Sequence, residues 1–277
     1  MKTASFDTDL TDAQWDYLQP MLPQPQKLGR PPTDRRRVIN AILYVLKGGI
    51  AWRLLPRNFP PCKTVFHIFH AWSLDGTWAA LNDALRVCVR RAEGRNAQPS
   101  AAIVDSQSVK SDGHGGPVGY DAAKKVKGRK RHLLVDTLGL VLGAVVTPAD
   151  CPERDGARLV LEQVGDWFTR LRKLWADGGY TGDSFAQWVR EHWPELKVEV
   201  VKRSDATQGF AVLPQRWIVE RTFGWLMRHR RLARDYERTV ASAESWIQLA
   251  MIRIQLDRKS TRLNSSHVSE SRMPSSA

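Results

Sequence analysis

Residues 101–105 read AAIVD: four small or apolar side chains, then an acid, Asp105. A short apolar run of this kind predicts a strand buried in a sheet. An acid at the end of such a strand stands at the sheet's rim on rigid backbone, where open α/β sheets bind ligands. KLWAD, residues 173–177, repeats the pattern, and its acid Asp177 is followed by Gly178 and Gly179. Those glycines allow a sharp turn and let a bulky ligand approach the backbone. Two strands finishing on carboxylates therefore predict a sheet with a carboxylate site at its rim.

The neighbouring segments extend that sheet. RHLLVDTLGLVLGAVVT (131–147) predicts a hairpin turning at DTLG, with Asp136 in the turn. DGARLVLEQVGDWFTRL (155–171) and SFAQWVREHW (184–193) read as helices, and KVEVVKR (197–203) as a strand. Asp150 and Asp155 belong to the start of the first of these helices. Two long helices follow, over about 214–234 and 239–257. Strand, hairpin, helix, strand, helix, strand, helix predicts an α/β domain whose mixed sheet is flanked by helices.

Residues 1–95 carry no strand signal and read as all-helical. LTDAQWDYLQPMLP (10–23) opens with Thr11 and Gln14 at capping-box spacing and a Leu10–Trp15 staple. Pro20 and Pro23 end it. TDRRRVINAILYVLKGG (33–49) is a helix with Thr33 as N-cap and an apolar stripe of Val38, Ile39, Ile42, Val45 and Leu46. Gly48 and Gly49 stop it. AWRLLP (51–56) and CKTVFHIFHAWSLDG (62–76), around the break RNFPP, read as two short helices of a helix-turn-helix. TWAALNDALRVCVRRA (77–92) is a further helix. EGRNAQPS (93–100) is the boundary, which predicts a helical domain over 1–95 and an α/β domain over 98–257. QPQKLGRPPTD (24–34) is a linker by composition; its GRPP resembles a minor-groove hook core, but the prolines suit a linker. Residues 258–277 are Ser-rich and aperiodic, predicting a disordered, non-native tail outside any functional reading.

Lys and Arg outnumber Asp and Glu by 42 to 29, giving +13 and a pI near 10.0. That excess attracts a polyanion, and nucleic acid is the commonest. No apolar run is long enough to span a bilayer, and MKTASFDTDL lacks a signal peptide's apolar core. Cys62, Cys88 and Cys151 form no CxxC pair, so neither a disulfide framework nor a zinc site is indicated. The histidines form no ligand set. The densest basic stretch, KKVKGRKRH (124–132), offers Lys124, Lys125, Lys127, Arg129, Lys130 and Arg131 as phosphate contacts, with His132 beside them. RHRR (228–231) offers Arg228, Arg230 and Arg231, continued by Arg234. Arg35, Arg36, Arg37, Lys63, His67 and His70 are candidates in the helical region.

A third acid completes the carboxylate site. Glu220, in PQRWIVERTFGWLMRHRRL (214–232), lies early in a helix, one turn after Arg216. Converging carboxylates repel unless a cation lies between them, and hard oxygen ligands on a rigid frame suit Mg²⁺. The plain alternatives are local turn hydrogen bonds for the two aspartates and a surface pair with Arg216 or Arg221 for Glu220.

IVDSQSVK, KGRKRHLLVDTLG, DGARL, ADGGYTG and RWIVERTFGWLMRHRRL, in that order, resemble bacterial insertion-sequence transposases of the IS5 type, within the IS4-like DDE group. LTDAQWDYLQPMLP and GGIAWRLLP resemble the N-terminal region of the same family, and the resemblance covers about residues 8–257. It implies a ribonuclease-H-like catalytic domain preceded by a helical DNA-binding domain, with Asp105, Asp177 and Glu220 as the DDE triad. It implies two Mg²⁺ ions, ~3.5–4 Å apart and replaceable by Mn²⁺. The substrates would be double-stranded terminal inverted repeats and target DNA, acted on by a homodimer in the bacterial cytoplasm at the nucleoid. In the family's Tyr-Arg-Glu-Lys signature Arg216 fits the Arg; the Tyr position falls on Leu213 and the Lys position on Met227, beside Arg228. The rival functions are a DNA-binding regulator that has lost catalysis and a nuclease that only hydrolyses.

Overall fold

A computed structural model of the chain describes residues 6–24, 33–113, 115–201 and 215–270, with the backbone alone for 166 and 259–270. The apolar run at residue 101 starts a strand that does not stop at Asp105: β1 spans Ala101–Lys110. The reason lies in its two neighbours. On one side β3 (Val126–Asp136) pairs antiparallel with β1 from Ala102↔Asp136 to Lys110↔Gly128. On the other side β5 (Lys173–Ala176) is parallel and accompanies it only from Ala101 to Ile103. Asp105 thus lies mid-strand along β3, yet just past the point where β5 leaves. It remains at a rim, on one edge only.

The other strands complete a mixed sheet. β2 (Gly119–Asp121) pairs with the start of β3, β4 (Val141–Pro148) pairs antiparallel with β3, and β6 (Lys197–Val200) runs parallel to β5. The path is β2-β3-β1-β5-β6, with β4 also on β3. The β3–β4 turn is closed by Asp136, whose Oδ1 accepts from the amides of Leu138 and Leu140, both at 2.9 Å. Its buried carboxylate also pairs with Arg90.

Helices cover both faces, giving the ribonuclease-H-like arrangement that the resemblance implies. On one face α5 (Glu153–Val164) sets Ala157, Val160 and Leu161 against Ala102, Val104 and Leu174, and α6 (Asp183–His192) adds Phe185 and Val189. Gly156 is required there because a Cβ would strike the His132 ring. On the other face Ile103, Leu133, Val135 and Trp175 meet α7 (Trp217–Leu226) and α8 (Val240–Glu270). The same apolar cluster takes in α1 (Asp12–Leu18), α2 (Arg35–Gly48), α3 (Cys62–Leu74) and α4 (Thr77–Ala92). Trp246 of α8 stacks on Phe69 with ring centroids 4.6 Å apart. The 93–100 loop therefore changes the secondary structure without interrupting the core. No described helix is long and apolar enough to cross a membrane.

Several sequence readings need correction. The capping box at Thr11 forms as expected. However, α2 is capped by Asp34 instead of Thr33, its Oδ1 accepting from the amides of Arg36 and Arg37. AWRLLP makes only a 3-10 turn, Trp52–Leu54, so it and α3 are not two helices of a helix-turn-helix. The helix expected over 214–234 ends at Leu226 and is followed by a 3-10 turn, Arg230–Leu232, because His229 adopts extended backbone. α8 runs on to Glu270 into the segment expected to be disordered; no glycine or proline interrupts 257–270. GRPP, Leu213 and residues 271–277 lie outside the described residues.

The basic stretch also divides in an unexpected way. Arg129, Lys130, Arg131 and His132 are buried, and so is Arg231. Arg129 pairs with Asp235 and donates to the Pro117 carbonyl, Lys130 donates to the Cys151 carbonyl, and Arg131 donates to the Leu232 carbonyl. His132 shares a hydrogen bond with Thr147, and Arg231 pairs with Glu237 at 2.5 Å. These side chains hold loops and helices to the sheet and cannot serve as surface phosphate contacts. Asp235→Ala should strand the fully buried Arg129 and lower stability by about 3–5 kcal/mol, read as a reduced urea midpoint with little dependence on salt.

Candidate active site

Ile103 pairs with Trp175, so two residues further on Asp105 and Asp177 point to the same face of the sheet. Asp177 is the first residue past β5 and still extended; its Oδ1 accepts from the Gly179 amide at 2.9 Å. Asp105 Oδ1 accepts from the Ser106 amide at 2.7 Å. α7 packs on this face, and its first turn carries Glu220. Arg216, at its N-cap, joins the two elements. One guanidinium nitrogen lies 2.6 Å from Glu220 Oε1 and the other 3.6 Å from Asp177 Oδ2. Arg216 thus links Asp177 to Glu220, and Asp105 feels the charges of Asp177 and Arg216 but not that of Glu220.

A fourth acid, Glu153, enters from the opposite side. It is the first residue of α5, and its Oε1 accepts from the Ser106 hydroxyl at 2.9 Å and from Lys124 Nζ at 3.1 Å. Gly179 leaves room for it: a Cβ there would come within 2.5 Å of Glu153 Oε2 and 3.1 Å of Asp177 Oδ1. Sequence reading assigned Asp150 and Asp155 to the start of this helix and passed over the acid between them. Its position after a predicted hairpin and at a helix start was the available signal, but only packing decides which acid of such a run turns inward.

The charges compete. Burial raises the Asp105 carboxyl to about 7; Asp177 and Glu153 push the same way, while the Ser106 amide and Arg216 oppose it. Burial also works on Glu153, but the Ser106 hydroxyl, Lys124 and Lys130 outweigh it and hold that carboxyl below its usual range. The Tyr180 hydroxyl is pushed well up, by burial first and then by Asp105, Glu153 and Asp177. Among the described residues, no three His, Cys, Asp or Glu side chains are grouped closely enough to hold one metal ion. The donor set still suits a hard cation. Asp177 and Glu153 are oxygen ligands that repel Asp105, and a guanidinium already bridges Asp177 to Glu220.

Lys124, Lys125, Lys127, Arg37, Lys63, His67, Arg228 and Arg230 are exposed, and Lys124 reaches the site through Glu153. Arg35 stacks on Trp72, and Arg36 pairs with Asp12 at 2.7 Å, so both are partly spent on the fold.

Residues 96–254 match the family model for the transposase DDE domain, and residues 10–82 match that for putative transposases of the IS4/5 family. A 16.2 kDa uncharacterized protein of insertion element IS402 from Burkholderia cepacia is 32% identical over 117 residues, covering 40% of this chain and 78% of the relative. A putative transposase for IS402 from the same organism is 28% identical over 130 residues, 44% of this chain and 59% of the relative. A putative transposase for IS6501 from Brucella ovis is 28% identical over 133 residues, 46% of this chain and 97% of the relative.

The raised Asp105 carboxyl has a consequence for stability. The folded state holds that proton up to about pH 7, whereas the unfolded chain loses it near its ordinary value of 3.8. The stabilisation it brings is complete below the unfolded value and is lost as pH rises through 7. In metal-free buffer Asp105→Asn should therefore be more stable than wild type by up to about 2 kcal/mol at pH 8, with the gap closing near pH 4. Thermal unfolding across that range checks it.

Proposed function

Because the chain belongs to the IS4/5-type insertion-sequence transposases with a DDE domain, we propose that Asp105, Asp177 and Glu220 are the acids of that domain and carry Mg²⁺-dependent phosphoryl transfer on DNA. The observation that supports this most is the fork between β1 and β5. It sets Asp105 beside Asp177 and brings both within reach of the cation that holds Glu220. Asp105 and Asp177 would hold the metal, with Glu220 joining when Arg216 releases it. A bound divalent ion supplies Lewis-acid polarisation of a phosphate oxygen and a more acidic attacking water.

The chain's own groups do the rest. The rigid strand backbone keeps the Asp105 carboxylate fixed, so little reorganisation is needed as charge develops. Arg216, freed from the acids, would meet a phosphate, and Lys124, which pairs with Glu153, would offer a second cation from the other side. Water attacks the scissile phosphodiester and liberates a 3′-hydroxyl, which then attacks the target strand. No side-chain nucleophile takes part. The 1–95 region reads the terminal inverted repeats through α3 and neighbouring exposed cations, the 98–257 region performs the chemistry, and two copies act together on paired ends.

Asp105→Asn should bind end-sequence duplex within about twofold of wild type but cleave it at least about a hundredfold more slowly in Mg²⁺. Gel analysis of labelled element ends separates no cleavage, cleavage alone and joined product; cleavage by the variant at the wild-type rate would sink the assignment. Arg216→Ala should bind Mn²⁺ about tenfold more tightly in the absence of DNA, because it removes the competing cation, and titration calorimetry reads that directly.

A further inference from the structure

Between the 3-10 turn at Trp52–Leu54, helix α3 and the segment leading into α8 lies an open cavity of about 600 Å³. Its wall has a flat aromatic face. Phe66, 41% exposed, lies parallel to the His70 ring one turn on, with centroids 5.7 Å apart and planes 7° apart. Trp52 stands edge-on to Phe66 at 5.6 Å. Its rim is basic: Arg53, Lys63 and Arg238 are exposed, and no acid among the described residues pairs with them. The remaining cation there, Arg231, is neutralised by Glu237.

These features together select one kind of ligand. An inorganic anion would use the cations but not the aromatic face. An apolar ligand would use the face but not the cations. A nucleotide uses both, through its flat base and its phosphates. The base must be unpaired, since bases in an intact duplex have both faces covered by their neighbours. The cavity is also joined to the catalytic strand. Ser111 bridges Asp235, which shortly precedes the cavity residues Tyr236 and Arg238. Asp105 and Ser111 lie six residues apart along the chain at the end of β1, a span of roughly 20 Å in extended backbone. One DNA strand can reach both places.

We propose that this cavity binds an unpaired nucleotide of a DNA strand, its base against Phe66 and His70 and its phosphates on Lys63, Arg53 and Arg238. The source of that DNA rests on the transposase reading; the ligand chemistry rests on the cavity. The test is fluorescence anisotropy with a labelled single-stranded oligonucleotide of about 12 nucleotides and a blunt duplex of matching length. Phe66→Leu keeps the apolar volume and removes the π face. It should weaken single-strand binding about tenfold and leave duplex binding within about twofold, while Phe66→Tyr restores wild-type affinity. A strand of abasic sugars should bind wild type and Phe66→Leu alike. Unchanged single-strand affinity in Phe66→Leu overturns the proposal, as does an equal loss for duplex, abasic strand and single strand. Asp105→Asn should keep single-strand binding. Failure of the three-acid assignment would therefore appear as cleavage by Asp105→Asn, independently of the Phe66 result.

Discussion

The candidate site depends on one pairing, the short parallel contact of β1 with β5. Ile103 against Trp175 sets the register, and β5 leaves the strand one residue later. That places Asp105 and Asp177 on one face with the sheet opening between them. A slip of one residue would turn one carboxylate into the opposite layer. Apolar burial resists the slip, because Ala102, Ile103 and Val104 are fully buried and alternate between the two layers. The same burial makes ionised Asp105 unfavourable, so the strand that positions the acid also costs the protein stability at neutral pH.

That cost explains how the surrounding charges are arranged. Glu153 is kept ionised by Ser106 and Lys124, and Arg216 bridges Asp177 and Glu220. Each of these acids is thus balanced by a neighbouring cation or hydroxyl. The remaining positive charge serves two purposes. Arg129, Lys130, Arg131 and Arg231 are interior ties between β3, the loops and the start of α8, whereas Lys125, Lys127, Arg228 and Arg230 face solvent. Asp235, Asp121 and Glu237 cancel Arg129, Lys130 and Arg231, so burying these pairs leaves the net charge of +13 to the rest of the chain.

Two family models divide the chain near the loop before β1, yet the apolar cluster does not divide there. α8 is the common support, since it packs on α4 and on β4 and stacks Trp246 against Phe69 of α3. Arg90 pairs with Asp136 at the hairpin turn, and Asn82 donates to the Val141 carbonyl. These contacts tie the helical region to the hairpin whose first strand flanks Asp105.

Legible in the sequence were the Thr11 capping box, the DTLG turn, the strands that carry Asp105 and Asp177, and the change from helices to a mixed sheet. These follow from patterns spanning a few residues, such as alternation, cap spacing and turn chemistry. Glu220 was also visible, as an acid one turn after an arginine. Tertiary structure alone decided that β1 continues to Lys110, because β3 supports it where β5 does not. It alone decided that residues 52–54 form a 3-10 turn, that Glu153 faces the site, and that half of the basic stretch is interior. The reason is range. Whether a charge is buried depends on a partner remote in the chain: Arg129 is held by Asp235, 106 residues away, and local pattern carries no information about that distance.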